Sequence, residues 1–367
     1  MQIDRRLISH FDWTLLGFTL ALVLMGVGTI YSANYNIVEN HAGGLPTRQL
    51  AWLGVGLVVM TAALAVDYRY LDRVAYPFYG AMVVLLFLVL FIGHSGGGSQ
   101  RWINLGFFRL QPSEPAKLAV VLLMAKYLQS DEPPRGYRLR DLWASFVLVA
   151  PLVLLTLVQP DLGTAIILSL VFLSMMLMGG LRLKSFLCLV GTGLAFLPIA
   201  WHFLKPYQRQ RILTFLDPDR DPLGAGYHVI QSKIAVGSGR LFGTGYLHGT
   251  QNRLDFLPAQ HTDFIFAVFS EEWGFVGCFV LVGLYFLFML YSLRLVGRAK
   301  DRFGALLAFG VLSIFFWHVV INVAMVTGMM PVVGVPLPLF SYGGSALASM
   351  MFGIGLMINV SMRRFTF

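Results

Sequence analysis

The stretch DFIFAVFSEEWGFVGCFVLVGLYFLFMLYSL, residues 263–293, decides the fold class. From Phe264 onward it is apolar over a length that exceeds the roughly 20 residues a helix needs to cross a bilayer. Glu271 and Glu272 are the charges inside the apolar run, and Asp263 stands at its start. The stretch therefore predicts a membrane-spanning helix that begins at a carboxylate.

The composition extends this prediction to the whole chain. Of the 367 residues, 57% are hydrophobic and 12% are charged, about half the charge of a soluble domain. The net charge of +9 is explained by membrane lipid headgroups and topology signals, so we do not expect nucleic acid as a partner. We predict an all-α polytopic membrane protein, a single domain over residues 1–367.

Apolar segments divide the chain into about ten predicted spans. They are 13–33, 50–66, 74–93, 112–128, 142–158, 164–181, 185–203, 264–293, 304–328 and 346–361. The longest polar interval, residues 204–263, forms one large loop between spans seven and eight. Short apolar patches within this loop predict that it packs on the membrane surface.

The distribution of positive charge predicts the orientation, because Lys and Arg concentrate in cytoplasmic segments. The short loops on one side hold only Arg48, Arg101 and Arg109. The other side holds fifteen, namely Arg5, Arg6, Arg69, Arg73, Arg135, Arg138, Arg140, Arg182, Lys184, Arg294, Arg298, Lys300, Arg302, Arg363 and Arg364. Both termini are therefore predicted to be cytoplasmic, and the large loop extracytoplasmic.

Asp263 then lies at the outer membrane surface, where water keeps a carboxylate ionised. A helix cap is the plain interpretation of an aspartate before an apolar run. Chemistry is the alternative, and the glutamates below it bear on the choice. Glu271 and Glu272 lie about 100° apart on a helix, so at least one must face the protein interior, since a lipid-facing carboxylate costs several kcal/mol.

Two further segments carry charge near the outer surface. In RWINLGFFRLQPSEPAKLA, residues 101–119, Glu114 and Lys117 are spaced to pair on one helix face, either as a structural ion pair or as a cavity lining. Arg101 and Arg109 suit bidentate recognition of phosphate. In GYHVIQSKIAVGSG, residues 226–239, Gln231 and Lys233 are candidates for contact with an anionic headgroup, although Lys233 also fits a solvated loop.

Two outer turns complete the candidate surface. QPDLGTA, residues 159–165, contains Asp161, which we expect to cap the following helix. PVVGVPLPLFSYGGSA, residues 331–346, is stiffened by three prolines and suggests a groove wall. Outward cations, an isolated carboxylate and an apolar body together fit an amphiphilic anionic substrate of the polyisoprenyl-pyrophosphate type.

These motifs, with FLPAQHTDFIFAVFSEEWGFVG, resemble in order and spacing the hallmark stretches of the SEDS family (shape, elongation, division and sporulation) over nearly the whole chain. The elongation members are the more similar. The resemblance implies a bacterial cytoplasmic-membrane enzyme whose active site faces the periplasm. That enzyme polymerises lipid II into β-1,4 glycan strands for rod shape, alongside a class B penicillin-binding protein.

The resemblance also implies residue roles. Asp263 would be the catalytic general base, with undecaprenyl pyrophosphate as leaving group. The substrate-binding candidates are Arg101, Arg109, Glu114, Lys117, Gln231, Lys233, His261 and Ser341. No organic cofactor is expected. A divalent cation, Mg²⁺ or Mn²⁺, would be held mainly by pyrophosphate and by Asp263.

Two departures and two alternatives accompany this reading. The family often has an acidic residue shortly before the HTD motif, where this chain has Ala259-Gln260, and Trp273 replaces a more usual aliphatic residue. Intramembrane Glu114, Lys117, Glu271 and Glu272 could instead form the proton relay of a lipid II flippase. The second alternative function is a scaffold protein that only recruits the penicillin-binding protein.

Overall fold

The computed structural model describes residues 10–36, 41–96, 99–104, 106, 109–129, 136–218, 225–253 and 259–365. Phe256, Leu257 and Pro258, the first residues of the FLPAQHTDFIFAVFSEEWGFVG motif, lie outside these ranges. The described chain is mainly helical, as the composition predicts. The helices are α1 Trp13–Ala33, α2 Leu45–Ala65, α3 Tyr68–Ile92, α4 Ser113–Leu128, α5 Trp143–Val158, α6 Leu162–Met178, α7 Leu183–Phe203, α8 Pro206–Leu216, α9 Ala225–Ser238, α10 Thr250–Arg253, α11 Ile265–Val296, α12 Arg302–Val326 and α13 Gly344–Met362.

Short antiparallel strands join the first helices on one side of the bundle. Strands β1 Tyr35–Asn36 and β2 His41–Ala42 pair between α1 and α2. Strands β3 His94–Gly96, β4 Ser99–Asn104 and β5 Arg109–Leu110 form a second small sheet between α3 and α4. This second sheet carries Arg101 and Arg109, so both arginines start from a fixed backbone.

Seven of the described helices are long and apolar enough to cross a membrane: α1, α2, α3, α5 with the turn before it, α11, α12 and α13. Helices α6 and α7 are apolar but shorter by the same measure. Helix α4 carries Glu114, Lys117 and Lys126, yet 13 of its 16 residues are buried. It packs against α3, α6, α12 and α13, so its charges lie inside the bundle. The chain is a multi-pass membrane protein, and the count of ten spans stays a prediction.

The interval 204–263, predicted as a loop, holds three helices in its described part. Helix α9 packs on α11, and Ser232 Oγ donates to the carbonyl of Val326 at the end of α12, at 3.1 Å. Helix α7, by contrast, has no buried side chain among its described residues. The interval is therefore built partly onto the ends of the two helices that flank Asp263.

Helix α11 is broken at Gly274, whose φ of 64° is left-handed. A break leaves backbone groups unpaired, and residues of the turn 239–245 pair with them. The N–H groups of Phe275 and Val276 donate to the carbonyls of Arg240 and Leu241, at 2.8 and 3.0 Å. The break therefore docks the interval 204–263 against α11, about three turns along the chain from Asp263.

Both glutamates beside the break are buried, which confirms that at least one faces the interior. Glu271 Oε1 accepts from the N–H groups of Thr250 and Gln251, at 2.6 and 3.0 Å, and from the Thr250 hydroxyl. Glu272 pairs with the Ser32 hydroxyl on α1. These carboxylates hold the docked segment and the first helix in place, and neither faces lipid.

Candidate active site

The main chain around Asp263 is tied to the turn 333–342. Asn322 Nδ2 on α12 donates to the carbonyls of Asp263 and Val335, at 2.9 and 2.7 Å. Ser341 Oγ donates to the carbonyl of Thr262 at 2.7 Å and accepts from the N–H of Leu337 at 2.8 Å. These bonds fix the position of Asp263 independently of its side chain.

The Asp263 carboxylate lies beside Gly334, where an added Cβ would stand 3.4 Å from Oδ2. Gly334 has a φ of 77°, so a glycine is favoured there on conformational grounds as well. Among the described residues the carboxylate makes no hydrogen bond and no ion pair. A carboxylate held by its backbone, with its oxygens unengaged, suits a group that receives a proton.

The surroundings of Asp263 shift its acidity toward neutrality. Burial by the surrounding protein raises the pKa of the Asp263 carboxyl to about 6, although the positive charges of Arg101 and Arg211 pull it down. The negative charge of Asp161 adds to the rise. A general base works best when its pKa lies near the working pH, so this environment favours that role.

Arg101 is placed next to Asp161 at the start of α6. Its Nη2 donates to the carbonyl of Pro160 at 2.6 Å, and Nη1 lies 3.5 Å from Asp161 Oδ1. The Thr164 N–H donates to Asp161 Oδ1 at 3.2 Å, which confirms the helix cap expected for this aspartate. Arg101 is thus a partly exposed cation close enough to Asp263 to influence its carboxylate.

The remaining outer candidates lie on separate elements. Arg109 is exposed, and its carbonyl accepts from Ser345 Oγ at 2.9 Å, which places it at the start of α13. Lys233 is exposed on α9, and its side chain packs against Gly328 just beyond α12. Gln231 is half-buried on α9 and its Oε1 has no hydrogen-bond partner within the described chain.

Glu114 and Lys117 form the predicted pair, at 2.9 Å, inside the bundle. Lys117 Nζ also lies 2.9 Å from His318 Nε2 on α12. Because His318 Nδ1 is 2.8 Å from the carbonyl of Ile314, Nδ1 carries the ring proton and Nε2 accepts from the lysine. All three side chains are at most 4% exposed.

Two adjoining cavities surround this cluster. One is lined by Glu114, Lys117 and Met350, and the other by His318, Ser341 and Met350. The second cavity lies under the turn that fixes Asp263. The Glu114–Lys117 pair therefore lines one cavity, and Lys117 contacts His318, which lines the other.

Ser341 lines the second cavity, and His261 packs against Tyr342, which lines it as well. The His261 ring meets Tyr342 edge-on, with centroids 5.9 Å apart, and its carbonyl accepts from the Tyr342 N–H. Burial lowers the pKa of His261. The Ser341 hydroxyl bonds to two backbone groups, the Leu337 N–H in the same turn and the Thr262 carbonyl next to Asp263, so its geometry favours a positioning role over substrate contact.

Sequence reasoning missed His318, Asn322 and Gln49. Gln49 on α2 is buried, and its amide bridges the carbonyl of Ser341 and the N–H of Gly343, at 3.2 and 3.3 Å. A single polar residue on an apolar helix is the available signal, since its burial demands a partner. Sequence alone does not say which partner that is.

Within the described ranges, no group of three or more His, Cys, Asp or Glu side chains is placed to hold a metal ion. Asp263 is a single carboxylate with unengaged oxygens. Mg²⁺ is commonly held by one or two carboxylates together with substrate phosphates and water. The site therefore fits a cation that arrives with a phosphorylated substrate, and it does not form a cage of its own.

Comparison with known proteins places this geometry in a family. The FtsW/RodA/SpoVE family, described as cell cycle proteins, matches residues 12–365. The chain belongs to this family. Its curated relatives include the peptidoglycan glycosyltransferase MrdB of Escherichia coli K12, 43% identical over 97% of this chain and 94% of the relative. The peptidoglycan glycosyltransferase RodA of Treponema pallidum is 36% identical over 97% and 99%.

Solved structures of FtsW/RodA/SpoVE proteins share the fold. A chain of a peptidoglycan synthase complex that coordinates polymerization and crosslinking is 35% identical, with a TM-score of 0.83, covering 97% of this chain and 99% of that one. The crystal structure of the rod-shape-determining protein RodA of Thermus thermophilus is 31% identical, with a TM-score of 0.73 and coverage of 97% and 98%. The resemblance read from the motifs is confirmed.

Proposed function

We propose that this protein is a peptidoglycan glycosyltransferase of the elongation type, which joins lipid II disaccharide units into β-1,4 glycan strands. The family membership and the names of its relatives support the activity. The observation that carries the chemistry is the Asp263 carboxylate, fixed by its backbone, unengaged among the described residues and flanked by the charges of Arg101 and Arg211.

Asp263 acts as general base in this proposal. It accepts the proton of the 4-hydroxyl of the acceptor N-acetylglucosamine while that oxygen attacks C1 of the N-acetylmuramic acid on the lipid-linked donor. The hydroxyl has a pKa near that of water, so the proton moves only as the new bond develops in the transition state. A positioned base of this kind contributes roughly 10²- to 10⁴-fold.

The second requirement is to stabilise the charge of the departing undecaprenyl pyrophosphate. Arg101 is held near Asp263, whereas Arg109 and Lys233 are exposed cations that have no ion pair among the described residues. Lys117 serves from the cavity, already paired with Glu114. Attack opposite the leaving group inverts the anomeric centre and converts an α-linked pyrophosphate into a β-1,4 bond.

A divalent cation, Mg²⁺ or Mn²⁺, fits this scheme as a companion of the pyrophosphate. Asp263 is the residue that would hold it, and the cation would supply further neutralisation of the leaving group's negative charge.

The same proposal covers location and partners. The enzyme crosses the bacterial cytoplasmic membrane about ten times, with both termini in the cytoplasm, and Asp263 faces the periplasm beside the interval 204–263. The class B penicillin-binding protein that crosslinks the product is the proposed partner, in line with the synthase complex that the chain resembles. Lipid II, the nascent strand and membrane lipids complete the contacts.

A lipid II flippase is the alternative, and the buried cluster of Glu114, Lys117 and His318 is the observation in its favour. Detergent-solubilised protein separates the two, because transport needs a sealed membrane and polymerisation does not. We expect purified wild-type protein, incubated with lipid II and a divalent cation, to yield glycan strands resolved by gel electrophoresis. Lipid movement in sealed vesicles without glycan product in detergent would favour the flippase.

A further inference from the structure

The Asp161 carboxylate, which pairs with Arg101, makes more contacts than a helix cap requires. Capping α6 needs only the bond from the Thr164 N–H to Asp161 Oδ1. The other oxygen, Oδ2, lies 3.4 Å from both Gln111 Nε2 and Ser113 Oγ, two donors from the start of α4. The Asp161 side chain is 2% exposed, whereas that of Arg101 is 20% exposed. The carboxylate is thus locked from three sides while its cation reaches solvent.

Packing connects this pair to Asp263. Gly163, two residues after Asp161, approaches the turn so closely that an added Cβ would stand 2.8 Å from the carbonyl oxygen of Val333. Gly334, which follows Val333, lies beside the Asp263 carboxylate. The start of α6 therefore abuts the same short turn as the reacting group.

In this position the Arg101 guanidinium has N–H groups that are not engaged by the described residues. Of the five N–H groups of a guanidinium, those directed at Pro160 and Asp161 are engaged. The others meet no acceptor among the described residues; Nε is buried, so the donors available to a ligand are the remaining N–H groups of Nη1 and Nη2. A cation fixed at one edge, with its remaining donors open, is the arrangement that binds phosphate oxygens.

We propose that Asp161 is a positioning residue, which holds the Arg101 guanidinium beside Asp263 so that its open donors meet the pyrophosphate of the lipid-linked donor. This proposal rests on the proposed function for its substrate. Asp161 touches no reacting atom itself, so its effect is transmitted through Arg101. Removing it should cost kcat about tenfold to a hundredfold, the range typical of a residue that orients a reacting group, with a smaller change in KM.

The test is a double-mutant cycle of Asp161→Asn and Arg101→Ala, read in two ways: lipid II polymerisation and binding of inorganic pyrophosphate. Asparagine keeps the cap oxygen and removes the charge that orients Arg101. We expect Asp161→Asn to lower kcat and pyrophosphate affinity, and the double variant to be no worse than Arg101→Ala alone, because both changes remove one interaction. Additive losses, or wild-type kcat and affinity in Asp161→Asn, would overturn the proposal.

Asp301→Asn is the matched control. Asp301 caps α12 through the Gly304 N–H at 2.7 Å and lies 3.9 Å from Arg69, so it reproduces the cap and the ion pair. About 30 Å of helix separates it from Asn322, at 1.5 Å per residue. It should leave kcat unchanged. Should Asp161→Asn not fold, Ser113→Ala loosens the same carboxylate and must lower kcat; an unchanged kcat there counts against the proposal.

Measuring pyrophosphate binding distinguishes a failure of the proposed function from a failure of the positioning role of Asp161. If the wild type forms no glycan but the cycle remains non-additive in binding, the pairing stands and the proposed function fails. If glycan forms while the losses add, the proposed function stands and the positioning role of Asp161 fails.

Discussion

At the scale of single residues, the site is organised by backbone bonds that leave charged side chains available. The side chains of Asn322 and Ser341 donate hydrogen bonds to backbone carbonyls. Among the described residues, the Asp263 carboxylate itself makes no hydrogen bond. Burying a carboxylate without donors destabilises its charged form, which explains the raised pKa.

The pKa of about 6 at Asp263 predicts the pH dependence of the reaction. The base works only when ionised, and a raised pKa means that protonation begins at higher pH than for an ordinary aspartate near 3.9. The pH profile of kcat/KM should therefore fall below about pH 6 and level above it. An acid limb near pH 4 would contradict the assigned environment.

Arg211→Gln tests the cause of that value. Arg211 lowers the pKa of Asp263, so its removal should move the acid limb to higher pH. Arg209→Gln is the control on the same helix, since the Arg209 guanidinium donates to the carbonyls of Trp201 and His202. An equal shift in both variants would indicate a general charge effect of α8.

The buried Glu114–Lys117 pair predicts a characteristic stability pattern. Removing one partner leaves an uncompensated buried charge, which costs about 3–5 kcal/mol, whereas neutralising both can be nearly cost-free. Lys117→Met should therefore lower the unfolding temperature strongly, and Glu114→Gln with Lys117→Met should recover most of it while activity stays low. Thermal unfolding in detergent measures this. Recovery of activity with stability would mean that the pair is purely structural.

At the scale of elements, the break in α11 joins that helix to the interval 204–263. Gly274→Ala places a Cβ 2.7 Å from the carbonyl oxygen of Gly239, at a left-handed φ. We expect a loss of at least about 2 kcal/mol, from backbone strain of 1–3 kcal/mol and displaced contacts. Gly283→Ala, on the same helix with no atom within 4 Å of the added Cβ, should be neutral or mildly stabilising. Equal unfolding temperatures for the two variants would refute this.

Apolar periodicity and charge predicted the helices well, because a bilayer demands long apolar segments with satisfied backbones. Span one, predicted as 13–33, is observed as Trp13–Ala33. The break at Gly274 and the helices within 204–263 could not be predicted, because both depend on contacts between segments distant in sequence. A lone glycine in an apolar helix is locally tolerated, so its role emerges only when the turn 239–245 docks.

For the candidate site, the sequence identified charged residues but not most of their contacts. Asp263, Arg101 and Lys117 stand out as charges in an apolar sequence, and the pair of Lys117 with Glu114 follows from their spacing. Asp161 was expected to be a cap, which it is, but its ion pair with Arg101 joins positions far apart along the chain. His318 and Asn322 looked like ordinary core residues, since burial alone does not name a hydrogen-bond partner.

At the scale of the whole molecule, the predicted orientation places the interval 204–263 outside the cell membrane. Lys205 before α8 and Lys300 before α12 are both exposed and serve as matched probes. In a variant whose Cys188 and Cys278 are replaced by alanine, Lys205→Cys should react with a membrane-impermeant thiol reagent in intact spheroplasts. Lys300→Cys should react only after permeabilisation. The reverse pattern would invert the topology and place Asp263 in the cytoplasm.

The central claim is that the Asp263 carboxylate removes the proton from the attacking sugar hydroxyl. The most direct measurement is lipid II polymerisation by purified Asp263→Asn beside the wild type, with matched unfolding temperatures. Asparagine keeps the shape and loses the base, so the rate should fall roughly 10²- to 10⁴-fold. Glycan synthesis at a rate near that of the wild type would contradict the account.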